Sequence, residues 1–77
     1  MKWKPIDWSK HPYPERQNDY LTYEALEDAN GNWLATIEQF VVNEKCFYAN
    51  TNNERSGCLG TYEWAKQWCE HRVGMQN

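Results

Sequence analysis

Three cysteines and two histidines are the residues of this chain best suited to metal binding or nucleophilic chemistry. Structural zinc takes ligands in pairs a few residues apart. Cys69 and His71 make one such pair, while Cys46, Cys58 and His11 stand alone, so the spacing predicts no metal site. Three widely spaced cysteines cannot complete a disulfide framework, and reduced thiols are the expected state. Cys58, in "SGCLG", precedes a helical pattern whose N-terminus would favour a thiolate, but no histidine is placed beside it. Glu24 and Glu38 could approach each other on a sheet, yet a flat sheet offers no pocket to exclude water or raise a carboxyl pKa. Phosphate-binding glycine loops are absent from the sequence. Neither catalysis nor a cofactor is expected.

Recognition is the remaining chemistry, and composition favours it. Five Trp, five Tyr and two Phe among 77 residues give a core that is small in count and large per residue. The net charge of -3 is unevenly distributed. Lys2, Lys4, Lys10 and Arg16 outnumber Asp7 and Glu15 at the start; Asp19, Glu24, Glu27, Asp28, Glu38 and Glu44 then follow with no basic residue among them. Such a block is a statement about partners more than about fold. No apolar run nears the roughly 20 residues of a membrane helix, and the start lacks a signal-type apolar stretch, so a cytoplasmic protein is expected.

The elements that must position these residues read as one domain. Residues 1–18 carry Pro5, Pro12 and Pro14 and predict an extended arm without regular helix. Residues 19–49 predict a three-stranded antiparallel sheet, with a hairpin over 19–42 and a third strand over 45–49. The hairpin centre "DANGN" fits a type I turn followed by a left-handed Gly31, a three-residue loop that sets Leu26 opposite Leu34 and Tyr20 opposite Phe40. Residues 50–60 read as a polar loop. Residues 61–73 predict a helix capped by Thr61, with Glu63 in its first turn and Gly74 at its end. Its apolar stripe is Tyr62, Ala65, Cys69 and Val73, widened by Trp68 and Trp64, and His71 falls at the edge of the stripe. The fold class is therefore α+β, three strands packed on one C-terminal helix.

In that register Leu21, Tyr23, Ala25, Trp33, Ala35, Ile37 and Val41 share the helix-facing side. The other side carries Tyr20, Thr22, Glu24, Leu26, Glu38 and Phe40. Aromatic residues interleaved with acids suit either an acid-rimmed binding surface or a face crossed by the arm. Tyr20, Glu24, Glu38 and Phe40 are the candidate binding residues. Trp3 and Trp8 join them if the arm inserts into a partner rather than covering the sheet.

Two resemblances follow. The order of three strands and a helix, with "LGTYEWAKQWCE" at the junction, resembles the arm-binding domains of tyrosine integrases and the plant AP2 domain. Those families are implied to read DNA with Arg and Lys on the exposed sheet face. Here that face is acidic and lacks the phosphate-binding cations, so direct nucleic-acid binding through the sheet is not expected. In size, aromatic content and style the chain also resembles small phage-encoded proteins of the anti-CRISPR and anti-defence type. This implies a non-enzymatic protein-binding module, an inhibitor that blocks a basic surface of a host protein or ribonucleoprotein complex. A small nucleic-acid-binding accessory protein that uses the basic arm, and a structural or assembly protein forming a homodimer, are the alternatives.

Overall fold

The computed structural model describes residues 1–74. Four strands and one helix form an antiparallel sheet with a single covering layer: β1 (Lys2–Pro5), β2 (Tyr20–Glu27), β3 (Trp33–Phe40), β4 (Tyr48–Thr51) and α1 (Tyr62–Val73), with the strands in sequential order. The α+β class and the C-terminal helix agree with the sequence. The sheet has four strands and not three, because the arm contributes β1, paired with β2 from Lys2 opposite Glu27 to Pro5 opposite Glu24. Proline is tolerated at the end of an edge strand, where its missing N–H breaks no inner ladder bond. Between β1 and β2 the chain makes two 3-10 turns, Trp8–Lys10 and Pro14–Asp19. The first is capped by the Asp7 carboxylate, which accepts from the Ser9 hydroxyl and backbone N–H and is held below the usual carboxylate range by those bonds.

The third predicted strand is displaced. A 3-10 turn over Val41–Asn43 interrupts the chain, and β4 begins at Tyr48, three residues later than the expected start at Lys45. The hairpin loop matches the expectation: Gly31 sits at φ 81, its N–H donates to the Asp28 carbonyl at 3.1 Å, and the Asp28 N–H donates to Asn32 at 3.0 Å. The Asp28 carboxylate accepts from the backbone N–H groups of Asn32 and Asn30 and is held below its ordinary range by them.

The register beyond that loop differs from the expected one. Glu27 pairs with Trp33 and Tyr20 with Phe40, as a bulge-free hairpin would have it. Between these ends the pairs are Leu26 with Ala35, Ala25 with Thr36, Glu24 with Ile37 and Tyr23 with Glu38. Leu34 is the extra residue at one shift and Leu21 at the other. Each bulge adds one residue to one strand and turns the residues beyond it to the other face. Along β3 the expected inward residues Ala35 and Ile37 do face the helix, but along the middle of β2 the faces are exchanged. Leu26 and Glu24 lie on the helix side, and Tyr23 and Ala25 on the open side. The exchange sets Leu26, a larger aliphatic group than Ala25, in the core cluster beneath the helix.

The core lies between α1 and the sheet: Leu26, Ala35, Ile37, Ala49, Leu59, Ala65 and Cys69, with Trp3, Phe47, Tyr62, Trp68 and Val73 packed around them. α1 starts where Thr61 accepts from the Trp64 N–H at 3.0 Å and stops at Gly74, φ 83. Its stripe matches the expected one except at Trp64, which is 54% exposed and points away from the sheet. Two bonds attach the helix to the far strands. The Trp3 indole N–H donates to Glu70 at 2.9 Å, and the Tyr62 hydroxyl donates to Glu24. The second bond satisfies the one carboxylate that the β2 register places on the core side.

The cysteines are not all reduced. Cys46 and Cys58 form a disulfide, and Cys69 alone is free and buried. Separation in sequence concealed the pair, because Phe47 and Leu59 bond to each other as an isolated bridge, bringing the preceding cysteines together.

Burial fixes a pH dependence. It pushes the Cys69 thiol from 9.0 to about 11 and the Tyr23 hydroxyl from 10.0 to about 12, the latter helped by the Glu38 charge; Tyr62 is raised as well, by burial and then its bond to Glu24. All are acids whose charged form the fold disfavours, so the folded chain keeps protons that the unfolded chain releases. Stability from this source is present in full below about pH 9 and falls as pH rises through the 9–12 window. Urea unfolding across that window should show a declining midpoint, and a flat or rising one would contradict the burial of these groups.

Candidate interaction face

The bulge at Leu21 determines what the open face presents. In an unbroken strand Tyr20 and Tyr23 would point to opposite sides. The extra residue puts both on the open side, with ring centroids 4.8 Å apart. Tyr20 also meets its cross-strand partner Phe40 at 4.8 Å, and Phe40 meets Tyr48 of β4 at 5.9 Å. From the arm, the first 3-10 turn sets Trp8 against Tyr20 at 5.5 Å and edge-on to Tyr23 at 5.2 Å, with His11 beside Trp8 at 4.7 Å. Tilted and edge-on aromatic pairs like these contribute roughly 0.5–1.5 kcal/mol each beyond their buried area. The result is a continuous half-buried aromatic platform across three strands.

A neutralised carboxylate lies at the centre of the platform. Glu38 is paired in register with Tyr23 on one side and Tyr48 on the other, and only 6% of it is exposed. It accepts from the Arg55 guanidinium at 2.7 Å and the Asn50 amide at 3.1 Å. Arg55 also donates to the Asn50 side-chain oxygen at 2.7 Å and lies over the Tyr48 ring, 4.9 Å from its centroid. A buried charge is tolerated only with such partners. Arg55 belongs to the polar segment after β4, which folds back on it: Thr51 donates to Glu54, Ser56 to Ala49, and the Ser56 hydroxyl accepts from Ala49. That return covers the outer edge of β4. The other edge, β1, is short and carries Lys2, Lys4 and Pro5, features that discourage strand addition.

Of the six residues singled out in the sequence, Trp8, Tyr20, Glu38 and Phe40 come together here. Glu24 and Trp3 do not: both are on the helix side, bonded to Tyr62 and Glu70. Tyr23, Tyr48, His11 and Arg55 are part of the face and were missed. Tyr23 was hidden by the bulge, Tyr48 by the displaced strand, and Arg55 sits in a loop whose composition carries no positional signal.

The charge segregation along the chain closes within the fold. Lys4 reaches Glu27 at 3.4 Å, Arg16 reaches Asp19 at 3.3 Å, and Arg55 reaches Glu38, so cations from both flanks return to the acidic hairpin. The first two pairs are exposed and add little stability; the third leaves the middle of the face nearly neutral. Among the described residues no group of three or more His, Cys, Asp or Glu is placed to hold a metal ion, and no helix is long and apolar enough to cross a membrane. With Cys46 and Cys58 joined, the remaining thiol is Cys69, which burial keeps protonated at neutral pH.

Compared with known protein families, curated proteins and solved structures, this chain matches none.

Proposed function

We propose that the protein is a non-enzymatic protein-binding module whose working surface is the open sheet face. One observation carries the reading: Trp8, Tyr20, Tyr23, Phe40, Tyr48 and Arg55 form one contiguous patch with its charge neutralised internally. Trp, Tyr and Arg are the residues that dominate binding energy at protein interfaces, and depletion of free charge marks interface centres. Exposed apolar groups extend the patch at one end, where Val41 is 50% and Val42 93% exposed beside Phe40. The resemblance to phage-encoded anti-defence proteins gives the reading its specific form, an inhibitor that occludes a surface of a host complex. Aromatic anchoring, more than the acidic block, supplies the affinity in this form.

The test is capture of partners from a nuclease-treated bacterial lysate with tagged wild type, a Tyr20→Ala/Phe40→Ala variant, and Trp64→Ala as a control on the helix's outer side. Each variant is first shown to be folded by circular dichroism. A stoichiometric protein partner that is lost with the face variant and kept by Trp64→Ala supports the reading, with an expected loss of at least 10-fold in affinity for a hot-spot pair. Retention of the partner by the face variant, or disappearance of every partner on nuclease treatment, would retire it.

A further inference from the structure

We infer that the Cys46–Cys58 disulfide is a redox control on the open face, acting through Arg55. The inference rests on the reading of that face given above. The bond closes the segment that contains β4 and the Arg55 loop, with a sequence separation of 12. Within that segment Arg55 supplies the cation for Glu38, the most deeply buried carboxylate of the face. Within it β4 is anchored by its pairing with β3, and the return after β4 is held by the Phe47–Leu59 and Asn50–Arg55 bridges, the two Ala49–Ser56 bonds, the Thr51–Glu54 bond and the exposed Glu54–Arg72 ion pair. Its tip, Asn52–Arg55, is exposed.

The two cysteines differ in access. Cys46 is 9% exposed, whereas Cys58 lies at the surface between Gly57 and the buried Leu59. Attack by a thiolate is therefore directed at the Cys58 sulfur. For a dithiol reductant of the thioredoxin class, the first thiolate bonds to the Cys58 sulfur, the Cys46–Cys58 bond breaks, and Cys46 leaves as a thiolate that takes a proton. The second reductant thiol then attacks its own neighbour in the mixed disulfide and releases Cys58. The protein gains two electrons and two protons, and the reductant ends as a disulfide.

Opening the loop removes Arg55 from Glu38 and leaves that carboxylate with the Asn50 amide alone between two tyrosine rings. A buried carboxylate without its cation draws water into the site. The aromatic platform around Tyr23 and Tyr48 then loosens. Oxidised, the face is ordered for binding; reduced, it is not.

Hydrogen exchange read by mass spectrometry or NMR tests this without any partner. Oxidised protein, protein reduced by a dithiol, and the Cys46→Ser/Cys58→Ser variant are compared. Exchange across residues 52–57 should accelerate on the order of 100-fold on reduction, the effect of restoring freedom to a closed loop of this length, while the β4 amides paired with β3 change less. Protection in α1 should change far less, and the Tyr23 and Tyr48 ring resonances should shift. Arg55→Gln with the disulfide intact should shift the same resonances while the loop stays protected. Unchanged exchange in the loop would overturn the inference, and so would an equal loss of protection in α1, which would make the bond a global staple. Neither result bears on the face itself, which the Tyr20→Ala/Phe40→Ala capture judges separately.

Discussion

Replacing Ile37 with alanine should cost this domain about 3–5 kcal/mol, the upper part of the range for truncating a buried aliphatic residue. Ile37 is fully buried at the middle of β3, paired with Glu24 on one side and Ala49 on the other. Its surroundings explain the size of the effect. The core cluster it belongs to consists, beside Leu26 and Leu59, of the small side chains Ala35, Ala49, Ala65 and Cys69, which can do little to fill the space left behind. A domain of this length has roughly 4–12 kcal/mol of stability in all, so the loss is a large share of the total. Thermal melting should drop by tens of degrees at about 4–8 °C per kcal/mol. Val42→Ala, at a position 93% exposed, should shift the melt by no more than the roughly 0.5 kcal/mol typical of surface sites. A cost below about 1 kcal/mol at Ile37 would mean that α1 does not rest on this face of the sheet.

The features legible in the sequence were those encoded locally. Thr61, Gly74 and the Tyr62, Ala65, Cys69, Val73 stripe define α1 because caps and helical periodicity act within a few residues. The loop from Asp28 to Asn32 was legible because a left-handed glycine and an aspartate ahead of it leave few alternatives. Register was not. The choice of faces in β2 follows from which of Leu26 and Tyr23 is better buried under a helix 40 residues away, and two bulges let the strand satisfy that preference without moving its ends. A period-2 reading assumes one unbroken alternation, so it failed between the bulges and paired correctly only at the two ends, Tyr20 with Phe40 and Glu27 with Trp33.

The same limit applies to the face. Aromatic content pointed to a surface cluster, and Trp8, Tyr20, Glu38 and Phe40 do come together on the open sheet face. The charge map pointed outward to a basic partner, but Lys4, Arg16 and Arg55 come back to the acids of the hairpin once β1 and the 52–58 segment are folded. Charge blocks in a short chain are matched first to each other when the topology makes them neighbours. Trp3 was placed with the arm because prolines dominate that segment, whereas its indole closes one end of the core and bonds to Glu70.

The second large effect concerns the disulfide. A Cys46→Ala/Cys58→Ala variant should lose about 3 kcal/mol, the value for a closed loop near this length, and melt roughly 10–20 °C lower. Both cysteines are replaced so that no free surface thiol remains to link two chains. The cost arises mainly in the unfolded state, where the bond restricts the segment that carries β4. In the folded state the bond acts at the base of the loop, next to the pair of backbone bonds between Phe47 and Leu59 at 2.8 and 2.9 Å. Wild type in excess reductant should melt with the variant, and wild type under oxidising conditions well above both. If all three melt together, the backbone bridge alone closes the loop and the bond contributes no stability. If they separate as expected, the margin of stability depends on the redox poise around the protein. A core with so few large aliphatic side chains then relies on the disulfide where the surroundings are oxidising and on its aromatic packing where they are not.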